Sequence, residues 1–526
     1  MSSPEPAGPP EVALGGRRSI RIWLLAVLIV GAALRLVYAV SASGIFHPDE
    51  IFQSLEPAHG VVYGVGFRAW EFAVGARPWS TAGVYVLLLA ALKAVGMTEP
   101  ESYLLAIRLF DALIASTWPW LCFRIGRALR SPRAGLLAAA LVATWYFLVL
   151  LAPRALNHTF SVSFGLLALA RLLERRSGDG PRWAPYLDGA LLGLAAAFRY
   201  QDALLVAGAA IFLLSERRPR ELLPVLAGSA AILLGVGLLD HFTWGAPFHS
   251  LFTYLHANLV ENAAGRFGAM PVWFYAWQIP AAFGVGALLL LLLPLSGRRA
   301  WRLLLSVGLL VLVAHSLTDN KQIRFVLPAI VVLLCALACA ADALLERAAS
   351  RGSRAAMAAA VVLLVFWGAA SAGRSVGLTF ADLGIFAGQP EAAAGPWHFR
   401  RDLNRSLERV GRDPDLCGLV IYPYGGSAGP ARLATTGGYS HLHRAVPVSM
   451  GPLAAEARSF TSHALLCPDG KGRRMELPGF VAVAQVGQCA VARVPGFRCD
   501  QEAARRFLAP ARWTGVLPPK REDLPR

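Results

Sequence analysis

The sequence predicts an α-helical polytopic membrane protein that ends in a small α/β domain. Three observations lead there. Of the 526 residues, 56% are hydrophobic and 16% charged, against about a quarter charged in a soluble domain. Apolar runs of membrane-spanning length recur up to residue 372. Beyond residue 373 these runs stop, and short amphipathic and strand-like stretches replace them.

Residues 1–16 are rich in Pro and Gly and read as a disordered N-terminus. Arg17, Arg18 and Arg21 then precede the first apolar run. No convincing small-residue cleavage site follows, so that run reads as a retained helix. Further basic clusters fall at 124–133, 171–182, 217–220, 298–302 and 347–354. The net charge of +17 is compatible with nucleic-acid binding, but the arginines sit in short loops between apolar runs, as cytoplasmic loops do. Nucleic acid is therefore excluded and the bilayer is the partner. Abundant Ala, Gly, Leu and Arg with scarce Lys suggest a bacterial plasma membrane over an endoplasmic reticulum.

Placing every basic cluster inside gives about eleven spans: 20–40, 103–122, 135–151, 159–173, 186–198, 201–215, 223–239, 277–296, 303–317, 323–345 and 355–372. The apolar run 83–95 is short and holds Lys93, so it reads as a helix packed in or on the membrane within a long outer loop, 41–102. The expected organisation is a membrane domain at 17–372, a linker at 373–396 and an exoplasmic α/β domain at 397–526. In that last domain, 402–410 is amphipathic, 418–424 is strand-like, and 480–485 with 489–494 read as a hairpin. Its Cys417, Cys467, Cys489 and Cys499 permit three disulfide pairings, or reduced thiols. Asp413-Pro414-Asp415 reads as a turn between helix and strand rather than a metal site.

The remaining unusual polar groups all land on the outer side. The densest is His47-Pro48-Asp49-Glu50-Ile51-Phe52-Gln53, continuing to Glu56, His59, Trp70 and Glu71. Carboxylates at a membrane surface are costly to desolvate and are kept for a reason. Arg154, Arg199, Asp240, Lys321 and Arg324 join them.

The segment His47-Pro48-Asp49-Glu50-x-Phe52-Gln53-Ser54-Leu55-Glu56-x-x-His59, with Trp70-Glu71-Phe72, resembles the first luminal loop of the GPI mannosyltransferases. These belong to glycosyltransferase family 22 within the GT-C class, and the branch that adds the third mannose looks nearest. The likeness recurs in order at Arg199, at Asp240 to Tyr275, at Asn320-Lys321-Gln322-x-Arg324-Phe325-x-x-Pro328, and at Tyr439-Ser440-His441-Leu442-His443. It departs at Asn320 and Gln322, where the family has His and Glu, at Tyr200-Gln201, where it has Pro-Thr, and around Arg154, with Ser161 at the family's Glu.

The resemblance implies a GT-C-like fold, a polyprenyl-phosphate sugar donor, a glycolipid or glycan acceptor, and an α-linked mannosyl or hexosyl product formed by inversion. Inversion by single displacement needs one base for the acceptor hydroxyl and cations for the departing phosphate. Asp49, ahead of Glu50, is the expected base. Lys321, Arg324, Arg199 and Arg154 are the expected phosphate ligands. His47, Gln53, Glu56, Trp70, Glu71 and Asp240 are expected at the substrate. No cofactor is required, and a divalent metal is left open.

Each residue also has a plainer reading. His47 caps a helix, Asp49 stabilises a helix start, and Lys321, Arg324, Arg154 and Arg199 snorkel to the headgroups. Trp70 sits in an interfacial belt. At the level of the chain, the alternatives to an enzyme are a lipid-linked sugar flippase and a non-catalytic scaffold. The first lacks a detectable internal repeat.

Overall fold

A computed structural model describes residues 17–175, 180–350, 352–386, 389–422, 437–450, 453–468 and 476–513. Among them, seven helices are long and apolar enough to cross a membrane: Arg18–Ser41, Pro100–Leu129, Pro219–Trp244, Phe274–Leu295, Arg298–Ser316, Ile323–Ala349 and Arg354–Ser375. Shorter apolar helices occupy Pro132–Thr144, Ala184–Phe198 and Tyr200–Ser215, and Asn157–Glu174 is helical as well. Seven of the eleven expected spans overlap these long helices; those at 135–151, 159–173, 186–198 and 201–215 overlap shorter helices, the first of them interrupted at Trp145. The apolar run 83–95 lies in a 16-residue helix, Trp79–Ala94. Its Lys93 Nζ donates to the Val62 carbonyl at 2.9 Å, which ties it to the outer loop.

Two features pack the membrane helices. The helix Pro132–Thr144 breaks at Trp145, whose ψ is 119°, and resumes at Tyr146. No proline stands at the break. The carbonyls of the last turn before it accept from side chains of other helices, that of Leu141 in addition to its helical bond from Trp145 N at 3.1 Å. Trp367 Nε1 donates to Leu141 at 3.2 Å, Arg35 to Val142 at 2.9 Å and to Ala143 at 3.0 Å, and Ser371 Oγ to Thr144 at 2.8 Å. Arg35 is fully buried; its two terminal nitrogens are bonded to carbonyl oxygens, while its Nε has no partner. Second, the helices Ala184–Phe198 and Leu222–Trp244 touch backbone to backbone. A Cβ on Gly189 would strike the Val225 carbonyl, and one on Gly228 that of Tyr186. Small residues permit such approach where no hydrophobic force draws helices together.

The basic clusters converge at one end. Arg124 meets Glu174 at 2.5 Å, Arg130 and Arg133 meet Asp342 at 3.1 and 3.0 Å, and Arg171 meets Asp188 at 2.8 Å. Arg299 reaches Glu216 at 3.2 Å and donates to the carbonyls of Ala128 and Leu173.

The C-terminal domain is a five-stranded mixed sheet in the order β2-β1-β3-β5-β4. β1 (Leu419–Tyr422) lies parallel to β2 (Val448–Met450) and β3 (His463–Leu466). β5 (Cys489–Arg493) is antiparallel to β3 and to β4 (Val481–Val486). The β4–β5 hairpin and the amphipathic helix Arg401–Gly411 stand where the sequence places them. Asp413-Pro414-Asp415 is the turn into β1. The Gly-rich end of the strand-like run, from residue 423, and residues 1–16 lie outside the described residues. The cysteines pair as Cys417–Cys499 and Cys467–Cys489.

This domain is clamped onto the loop that follows the first helix. Trp513 is buried against Gly60 and donates Nε1 to the Gly66 carbonyl at 2.9 Å. Gly66 N donates in turn to Ala511 O at 3.0 Å.

Candidate active site

The turn after the first helix is built by its own residues. Pro48 occupies the first helical position, where its missing N–H costs nothing. His47 Nδ1 accepts from Asp49 N at 3.2 Å, and Glu50 reaches back to the backbone N–H groups of Phe46 and His47. This is a capping box with His in the usual Ser or Thr place. A five-residue π-helix, Ile51–Leu55, follows at once. Such turns cluster at functional sites because they re-aim side chains. Here Gln53 and Ser54 point into the same cleft as Asp49.

That cleft is narrow, with a volume of about 20 Å³, and is lined by Asp49, Gln53, Ser54, Arg77, Pro78, Thr81, Leu156, Asn157, Phe198 and Tyr200. Asp49 retains a quarter of its side-chain exposure and accepts from Arg324 NH2 at 2.8 Å. His47 Nδ1 lies 3.2 Å from the same carboxylate oxygen. Burial works against ionisation of Asp49, but His47, Arg324 and Arg77 outweigh it and hold the carboxyl well below its usual range. Arg324 is fixed from behind by Gln322 Oε1 at 2.6 Å, and the His47 ring stacks on Phe386 at 5.8 Å. His47 therefore both caps the turn and abuts Asp49.

Glu50 faces the other way. It is 5% exposed, bonded to backbone, with Arg154 at 3.7 Å. Burial pushes its carboxyl up, against Arg154 and the two N–H donors. Arg154 is held by the Gly44 carbonyl at 2.8 Å and by the Tyr38 hydroxyl. Arg199 pairs with Asp202 at 2.9 Å and donates to Phe325 O at 3.0 Å. Lys321 Nζ donates to Met270 O at 2.7 Å and to Thr318 O. Of the four cations expected at a phosphate, the structure brings Arg324 to Asp49 and commits the other three to protein partners away from the cleft lining.

The expected substrate residues also divide. Gln53 lines the cleft and donates to Glu71 Oε1 at 2.8 Å. Glu71 is buried just behind. Glu56 is fully buried, and its two oxygens accept from Phe67 N and Ser440 N, each at 2.7 Å, so it joins loop to tail. Asp240 accepts from Ser250 N at 2.8 Å and Oγ at 2.6 Å, which fixes the start of the helix His249–Leu255. Trp70 is 39% exposed at the start of a short helix and does not line the cleft. Among the described residues no three His, Cys, Asp or Glu side chains converge as metal ligands would. Sequence reading missed Arg77 and the aromatic pair Tyr200 and Tyr254, 5.7 Å apart. The one available signal was an isolated Arg-Pro pair just before the apolar run at 83–95.

Residues 26–380 match the model of the Alg9-like mannosyltransferase family. The chain is 30% identical over 321 residues to GPI mannosyltransferase 3 of Yarrowia lipolytica, covering 58% of this chain and 60% of that protein. It is 25% identical over 327 residues to GPI alpha-1,2-mannosyltransferase 3 of Danio rerio, covering 61% and 60%. It is 25% identical over 339 residues to mannosyltransferase APTG1 of Arabidopsis thaliana, covering 61% and 58%. The matched region spans about three fifths of the length of these relatives. Among solved structures, ArnT from Cupriavidus metallidurans bound to undecaprenyl phosphate superposes with a TM-score of 0.56 at 13% identity, over 92% of this chain and 99% of that one. The oligosaccharyltransferase AglB of Archaeoglobus fulgidus, in complex with an inhibitory peptide and a dolichol-phosphate, gives 0.52 at 12% identity, over 85% and 69%. The fold is that of the GT-C glycosyltransferases.

Proposed function

The chain belongs to the Alg9-like mannosyltransferase family, and from that premise we propose that it transfers a mannosyl unit from a polyprenyl-phosphate donor to a glycolipid or glycan acceptor, with inversion to an α-linkage. The observation that carries this reading is Asp49, a carboxylate at a cleft between the outer loop and the membrane helices, held ionised by Arg324 at 2.8 Å. An ionised carboxylate with residual exposure is a base. Asp49 takes the proton of the acceptor hydroxyl, and that oxygen bonds to the anomeric carbon. The bond from that carbon to the donor phosphate breaks, and its electron pair leaves on the phosphate oxygen. The leaving group departs as an anion and needs no proton. The bound undecaprenyl phosphate of the ArnT neighbour supports a lipid-phosphate donor.

The reaction face is the outer one in this reading. The inter-helical basic network at the opposite end supports that orientation. The Arg-rich, Lys-poor composition favours a bacterial plasma membrane. The test is the purified full chain with radiolabelled polyprenyl-phosphate mannose and a crude glycolipid fraction. The expected result is labelled glycolipid with consumption of donor. Movement of lipid between leaflets without donor consumption would replace the enzyme with a flippase.

A further inference from the structure

Resting on that reading, we propose that Arg77 receives the departing phosphate of the lipid donor. Of the residues lining the cleft, two are charged, Asp49 and Arg77. They come from different elements, the turn at 48–50 and the loop before the helix Trp79–Ala94. A displacement needs an anion to take the proton and a cation to meet the leaving group, and this pair supplies one of each in a single cleft.

The charge of Arg77 acts on Asp49 and Glu71 through space, without a close hydrogen-bonded carboxylate of its own. Its nearest carboxylate is Glu71 Oε1 at 3.8 Å. That same oxygen already accepts from Gln53 Nε2 at 2.8 Å. Arg77 Nε is buried without a hydrogen-bond partner, a costly state for a charged donor unless a ligand completes it. The guanidinium is not loose, because its carbon lies 5.5 Å from the centre of the Tyr254 ring. An arginine set over an aromatic ring and short of acceptors suits bidentate phosphate contact. The helix that starts two residues later has no side-chain cap, and its Thr81 also lines the cleft, so its first turn adds partial positive charge there. Arg154 and Arg199 also leave one buried nitrogen without a partner, but their other nitrogens are bonded to carbonyls, a hydroxyl or a carboxylate, Lys321 is bonded to carbonyls, and none of the three lines the cleft.

The experiment uses the purified full chain in lipid nanodiscs, with radiolabelled polyprenyl-phosphate mannose as donor and unglycosylated polyprenyl phosphate as inhibitor. Arg77→Ala should raise the donor KM by roughly ten- to a hundredfold, lower kcat, and weaken inhibition by polyprenyl phosphate to the same degree, with the acceptor KM unchanged. Arg77→Lys should recover part of each effect, since one charge returns without the fork. Its donor KM, read beside an unchanged melting temperature, carries the test if Arg77→Ala fails to fold. A donor KM and inhibition equal to wild type in either folded variant overturns the assignment, as does a rise in the acceptor KM alone. A drop in kcat with both the donor KM and the inhibition by polyprenyl phosphate unchanged overturns it too, because the departed phosphate then binds without Arg77. Wild-type protein that neither transfers mannose nor binds the inhibitor overturns the functional reading and this assignment together.

Discussion

Asp49 and Glu50 are neighbours with opposite surroundings, and the difference separates the roles proposed for them. Asp49 meets Arg324 and the cleft; Glu50 meets backbone N–H groups and Arg154. Asp49→Asn should cut turnover on the order of a hundredfold or more, with the melting temperature close to wild type. Turnover within a few-fold of wild type would remove Asp49 as base. The folded carboxyl lies below its usual range, so the base form is present above that range and is lost only as pH falls through the depressed value. The acid limb of the activity profile should therefore lie below the ordinary carboxylate region. Two acids after a proline were enough for the sequence to mark this turn. The fates of Arg154, Arg199 and Lys321 were not legible, because charge shows in a sequence and partners do not. Arg154 bonds to a carbonyl 110 residues away and Arg324 to a carboxylate 275 away.

At the scale of elements, helices were legible and their interruptions were not. Each apolar run became helix because the bilayer leaves the backbone no other partner. The break at Trp145 has no proline or glycine to announce it. It exists because Arg35, Trp367 and Ser371, from other helices, accommodate its carbonyls. The π-helix at Ile51–Leu55 is equally silent in sequence. Close packing of the helices Ala184–Phe198 and Leu222–Trp244 makes a sharp expectation. Gly189→Ala or Gly228→Ala puts a methyl into a facing carbonyl and should destabilise by about 1–3 kcal/mol. The check is thermal unfolding in detergent, with Gly235→Ala, where a Cβ meets nothing, as the neutral control. Equal melting of all three variants would refute the packing.

For the molecule as a whole, the basic end and the polar end define a direction. A compartment-sensitive reporter fused after Arg526 should report the non-cytoplasmic side. A cytoplasmic signal would invert the orientation and make the helix Trp79–Ala94 a span. The junction of loop and tail should also respond to pH. Burial pushes Glu56 up to about 7, and burial with Glu101 does the same to Glu408. Burial pulls His59 down to about 3 and His441 down to about 4. The folded carboxyls keep protons that the unfolded chain releases above 4.5, so their contribution weakens as pH rises through about 7. The folded histidines refuse protons that the unfolded chain takes below 6.5, so theirs weakens as pH falls. The two slopes oppose each other between 4.5 and 6.5. Amide-exchange protection at Ser440 and Trp513 should be broad and flat there, falling on both sides; a monotonic trend from pH 4 to 8 would contradict it. The same junction sets a clock. Glu56, a few residues after the turn at 48–50, is completed by Ser440, 384 residues later. During synthesis the turn emerges early and waits for its clamp. At about 5–20 residues per second, that interval is about 20–80 s, during which the carboxylate of Glu56 is without the Ser440 donor that completes it.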